Sequence, residues 1–304
     1  MQNSRMITLR HDGFELGLLP GTGGAVAHFK HQDANLLRPA TGRAPTDMAA
    51  FPLFPFSGRI GNGRFRWQGR DIQLDLNFPP EPHAIHGQSW LAEWDVVSAT
   101  SDRALLRYVH AADTWPWAYR AEQLFRLGPN GLVLELSITN LSDEAMPAGI
   151  GWHPYFPSAG AEIEADTTIV WETGPDMLPR PPRSPMASEQ LREGAPIAEL
   201  SLDTPFTTAS RPVTIRWPEH RRMLRMLPDE LLRFLIVYTP PGEEFFCAEP
   251  VSHVPDMVNL AAPASETGLV ALTPGETLKG AVRLELSPLA TGSAEADDGR
   301  VPAR

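Results

Sequence analysis

The chain has a single cysteine, Cys247, so no disulfide can form within it. No run of about 18 apolar residues occurs, which excludes a bilayer-crossing helix. The opening stretch, MQNSRMITLRHDG, lacks the apolar core of a signal peptide. Positive charge is also short, with 26 Lys and Arg against 37 Asp and Glu and a formal net charge of −11. A nucleic-acid partner would want a basic face, so none is expected, and an anionic membrane surface would not attract the chain. A Gly-rich phosphate loop, a Ser nucleophile elbow, an HExxH helix and paired-cysteine metal motifs are all missing. The default expectation is a soluble cytoplasmic protein, whose oligomeric state is not legible.

What the chain does have is turn chemistry. Its 24 Gly and 31 Pro imply many turns and few long helices. A length of 304 residues suits one large or two ordinary domains and can bury a substantial core. Apolar and polar residues alternate through RFRW and DIQLDL, on either side of a QGR turn. YRAEQLFRLGPNGLVLELSITN reads as a long hairpin about its GPNG turn. Successive pairs of this kind, without a helical period between them, predict packed antiparallel sheets. A surface excursion is expected over 172–200, with one helical turn near SEQLRE. From Ala290 the chain is small, charged and apolar-poor, which reads as a disordered tail. Residues 1–289 are then expected to form one all-β domain.

Candidate chemistry begins at residues 245–259, FFCAEPVSHVPDMVN. As a strand, this puts Phe245, Cys247 and Glu249 on one face and Phe246 and Ala248 on the other. Pro250 has no N–H to donate and is predicted to end the ladder, leaving Glu249 at the sheet's rim. A rigidly held rim carboxylate suits a general base; the plain alternative is a solvated glutamate followed by an Asx turn at Pro255-Asp256. In GWHPYFP, residues 151–157, His153 shares a side with Gly151 and Tyr155, and Pro154 marks an irregularity or an edge. A lone histidine among aromatics also serves as a packed core residue. His83 and His86 are too few for zinc, which wants three or four ligands, so no metal is expected. His86, backed by Gly87, suits either a donor to a ligand hydroxyl or a structural role. Arg59 stands just before the Asn62-Gly63 turn, while Arg64, Arg66 and Arg70 read as an exposed sheet face. PLFPF, at 52–56, reads as an irregular core-lining segment. Asp203, ahead of Pro205, suits an Asx turn.

Taken in order, these segments resemble the aldose 1-epimerases, the galactose mutarotase-like family. FCAEPVSHVPDMVN is similar to the family's C-terminal signature of a hydrophobic strand, Cys, Glu, a short loop, Pro-Asp and Asn. SGRIGNGRF at 57–65 resembles its Asn-Arg-Ile…Gly-x-Phe motif, HAIHGQSW at 83–90 its His-Gly motif, and GWHPYFP its His-x-Tyr-Phe motif. ELSLDTPF at 199–206 is a looser match to the segment that supplies a sugar-binding aspartate. Two positions depart: Gly58 stands where the family usually has Asn, and Gln88 where a second Gly is common. The resemblance implies a large antiparallel β-sandwich, the galactose mutarotase-like supersandwich, with its site on a concave sheet face. It implies Glu249 as catalytic base and His153 as acid, with Arg59, His86 and Asp203 holding a small-molecule sugar and no cofactor. The implied reaction interconverts the α and β anomers of a free monosaccharide. An epimerase of sugar phosphates and a non-catalytic carbohydrate-binding or sugar-sensing module on the same fold remain open.

Overall fold

Alternating burial along antiparallel strands builds nearly the whole molecule. The computed structural model of the chain describes residues 5–180 and 186–289; the expected tail and residues 181–185 of the excursion lie outside that range. Among the described residues, seventeen strands join one large sheet, accompanied by three two-stranded ribbons. The long hairpin pairs Tyr119–Gly128 with Gly131–Asn140, in register from Tyr119↔Asn140 to Gly128↔Gly131. Every second residue of its first strand is buried, as a sheet with one face on a core requires. The excursion carries an α-helix, Met186–Glu193, longer than the single turn expected, with Leu191 buried.

Five antiparallel strands carry the candidate site residues His153, Asp203 and Glu249. In spatial order they are Ala50–Leu53, Gly151–Pro157, Phe245–Val251, Phe234–Tyr238 and Asp203–Trp217. Pro52 and Leu53 therefore belong to a strand, where an irregular segment was expected. The two faces of this section bury different clusters. Trp152, Phe156, Leu235, Val237, Phe246 and Ala248 join the main core. Phe51, Tyr155, Phe234, Ile236, Cys247 and Val251 form a second apolar cluster on the opposite face.

The two prolines act differently from the expectation. Pro250 does not end its strand: it pairs with Leu235, and Val251 beyond it pairs with both Phe234 and Gly151. Pro154 lies in a central strand, not at an edge. The reason is local. Between Gly151↔Val251 and Tyr155↔Cys247 the ladder records no pairs, and both prolines fall in that interval. The missing N–H groups coincide with unmade rungs, so neither strand loses a partner. Glu249 consequently lies inside the sheet and is 3 % exposed.

Candidate active site

The candidate acid–base residues sit at the gap in the ladder. Register on either side of it places His153 level with Glu249. Their side chains emerge on the second-cluster face, with Nε2 of His153 3.3 Å from Oε1 of Glu249. The His153 ring stacks between Phe51 and Tyr155, at 4.6 and 4.8 Å between centroids. Such walls exclude water, and burial sets the acid–base behaviour of both groups. Burial lowers His153 to about 3. Burial also pushes the Glu249 carboxyl well above its ordinary range, with the Asp203 charge adding and Arg59 opposing. Both shifts favour the uncharged forms, a neutral imidazole facing a protonated carboxyl. Two buried atoms, Nδ1 of His153 and Oε2 of Glu249, have no hydrogen-bond partner among the described residues.

A cavity of about 370 Å³ opens over this pair, and Arg59, His86 and Asp203 all line it. Asp203 begins a strand opposite Tyr238, so its backbone is laddered and not an Asx turn. Its carboxyl is raised by burial, against the lowering effect of Arg59. Arg59 pairs with Ile85 across a short ribbon, and its Nε lies 3.2 Å from Oε2 of Glu81.

Local structure explains why His86 is available to a ligand. The Gly58 N–H donates to Nδ1 of His86 at 3.1 Å. That nitrogen therefore accepts, and in the neutral ring Nε2 carries the proton. The other two histidines of these motifs are used up. His83 accepts from the Asn62 N–H and sits 2.8 Å from the Asp176 carbonyl. His253 accepts from the Ser57 N–H and contacts the Val254 carbonyl. His83 and His86 thus do not converge as a metal pair. Arg64, Arg66 and Arg70 are exposed and lie away from the cavity.

The Pro-Asp…Asn end of the long motif is a clamp. Oδ1 of Asp256 accepts from the Gly61 N–H at 2.9 Å and from Nδ2 of Asn259 at 2.7 Å. Asn259 also donates to the Arg64 carbonyl. Together these bonds hold the loop that presents Arg59. Gly58 fits this loop for a steric reason: its φ is +64°, and a Cβ there would lie 2.6 Å from Cγ of Pro255.

A model of the aldose 1-epimerase family matches residues 5–285. The chain belongs to the aldose 1-epimerase family. An uncharacterised Escherichia coli K12 protein, YphB, is 33% identical over 281 residues, which is 89% of this chain and 94% of that protein. The crystal structure of a putative aldose 1-epimerase from Escherichia coli K12 superposes with a TM-score of 0.86 at 31% identity, covering 94% of this chain and 99% of that one. A galactose mutarotase-like protein from Clostridium acetobutylicum shares the fold, with a TM-score of 0.84 at 19% identity over 93% of this chain and 95% of its own. The family's mutarotase-like fold is therefore the fold of this chain.

Other members of the wall were not singled out from sequence. Phe51, Trp90, Thr173, Met177, Tyr238 and Arg38 all line the cavity. Arg38 lies over the rings of Tyr155 and Phe245, at 4.2 and 4.6 Å, and donates through Nη2 to the carbonyls of Thr46 and Met48. It makes no ion pair among the described residues. NLLR gives no motif that marks it. Thr173 and Met177 return from the excursion, which sequence reads only as surface.

Proposed function

We propose that this chain interconverts the anomers of a monosaccharide by acid–base opening and closing of its ring. The observation that carries the reading is the His153–Glu249 pair, buried and facing one cavity across 3.3 Å. Burial rests the pair's proton on Glu249, so the cycle starts when that proton crosses to His153: Glu249 then takes the proton of the anomeric hydroxyl while protonated His153 gives one to the ring oxygen as the ring bond breaks. The aldehyde turns about its bond to the next carbon, and the ring recloses with the roles reversed. The pair begins and ends with one proton, so the cycle needs no external acid, and each group contributes roughly 10²- to 10⁴-fold. Arg59, His86 and Asp203 hold the hydroxyls that do not react. The cavity is at the small end of the range of about 300–1,000 Å³ for ligand sites, which favours a single sugar over an oligosaccharide.

Arg38 gives the choice of sugar a specific question, because its charge on the cavity wall has no carboxylate partner among the described residues. The test is therefore anomer exchange, measured by NMR or polarimetry, over freshly dissolved neutral hexoses, a hexose 6-phosphate and a hexuronate. Catalysed exchange of any of these supports an epimerase, and the fastest identifies its class. Saturable binding across the panel without exchange would replace the enzyme with a sugar-binding module.

A further inference from the structure

We infer that His153, Cys247 and Glu249 form a binding site for one thiophilic divalent cation, such as zinc or cadmium, and that its occupancy inhibits the chain. The inhibitory consequence rests on the acid–base role proposed above; the site itself does not.

Each of the three side chains offers one ligand atom, and these atoms all lie within 4.8 Å of one another. The fold makes this cluster from two adjacent strands. Cys247 and Glu249 are two residues apart and share a face, while Tyr155↔Cys247 sets the register that brings His153 to them. Zinc–ligand bonds of about 2.0–2.1 Å to N and O and about 2.3 Å to S place N and O about 3.3 Å apart in a tetrahedron. His153 and Glu249 already stand at 3.3 Å. With every separation within 4.8 Å, the sulfur would need to close by at most about 1.3 Å to reach the tetrahedral spacing of about 3.5 Å.

Two further features point to a ligand here. Glu249 is 3 % exposed, yet its Oε2 has no hydrogen-bond partner among the described residues. The cation also has a way in, since His153 and Glu249 line the cavity, while Cys247 is buried and does not line it. A fourth position, facing the cavity, is left for water or a sugar hydroxyl. The donor set of one thiolate, one imidazole and one carboxylate selects zinc, cadmium or cobalt over magnesium and calcium, which prefer all-oxygen sites. Bound metal would occupy Nε2 of His153 and a Glu249 oxygen, the two atoms that must exchange protons.

The experiment is a titration of the full chain with cobalt(II), followed in the near ultraviolet, beside zinc inhibition of anomer exchange. One cobalt per chain is expected, with a thiolate-to-cobalt charge-transfer band that Cys247→Ser abolishes. Zinc should lower exchange to the level of a Glu249→Gln variant. EDTA should restore it, magnesium should have no effect, and Cys247→Ser should resist zinc. The absence of a charge-transfer band in the folded wild type, or equal zinc inhibition of Cys247→Ser, would overturn the site. A band accompanied by undiminished exchange would uphold the site and overturn instead the acid–base reading. If Cys247→Ser does not fold, the wild-type band and its bleaching by zinc decide the matter.

Discussion

Nε2 of His153 and Oε1 of Glu249 face each other across 3.3 Å from neighbouring strands, at the interval where Pro154 and Pro250 leave the ladder unmade. If the two groups form one proton shuttle, Glu249→Gln and His153→Asn should each reduce exchange by roughly 10²- to 10⁴-fold. The double variant should cost little more, because groups acting as a unit are not additive. Sugar binding by calorimetry should survive in all three. Near-wild-type exchange in both folded single variants would make the pair structural.

The same carboxyl opposes folding at neutral pH. Its folded pKa is raised by burial, so its contribution to stability is present below the unfolded value and lost as pH rises through the folded one. Glu249→Gln removes that penalty and should raise the melting temperature at pH 7, with the gain shrinking toward about pH 4. Calorimetry of both proteins at the two pH values checks this. An equal or larger gain in acid would contradict the sign.

His253 predicts the opposite slope. Burial lowers it to about 4, with its bond to Val254 opposing. Its contribution is therefore full above the unfolded value of about 6.5 and is lost as pH falls to about 4, roughly 3 kcal/mol in all. Wild type should exceed His253→Gln in urea-unfolding free energy at pH 7, and the difference should narrow by about that amount on acidification. A constant difference would show that the buried ring does not titrate as its surroundings require.

Gly58→Ala should weaken both fold and site. The position needs a left-handed backbone and has no room for a Cβ against Pro255. A loss of about 1–3 kcal/mol is expected. KM should also rise, because Gly58 holds His86 through its N–H at 3.1 Å and its carbonyl at 2.8 Å. Gly69 is the control: its φ is +84°, but nothing lies within 4 Å of an added Cβ. Gly69→Ala should lose stability without moving KM. Equal kinetic effects would remove Gly58 from the support of the site.

Arg59→Ala, His86→Ala and Asp203→Asn should raise KM, with smaller effects on kcat unless the ring is misplaced. Exhaustive chelation should leave full activity, since the proposed metal inhibits and does not assist. Steady-state exchange assays beside circular dichroism test both. Unchanged KM in the folded variants would take these residues out of the site. Loss of activity with EDTA, restored by a divalent ion, would overturn the cofactor-free mechanism.

Much of the fold was legible because strand burial follows local alternation. RFRW, DIQLDL and the GPNG hairpin state their faces residue by residue, and the side-chain period of two carries that statement into the sheet. The same period put Cys247 and Glu249 on one face before any partner strand was known. Four short segments in order were enough to indicate the family.

Only the tertiary structure decided what the prolines and histidines do. A single proline reads as a strand end, because sequence cannot show that Pro250 shares one ladder gap with Pro154, which lies 96 residues earlier in the chain. Three histidines of the motif loops carry the same ring, yet His83 and His253 engage both nitrogens within the protein, whereas His86 engages one and turns the other to the cavity. Sequence supplies the donors, acceptors and charges; which of them meet, and how far water is excluded from them, depends on contacts between distant segments. For that reason the proton affinities of His153 and Glu249 belong to the folded chain and not to either residue's own chemistry.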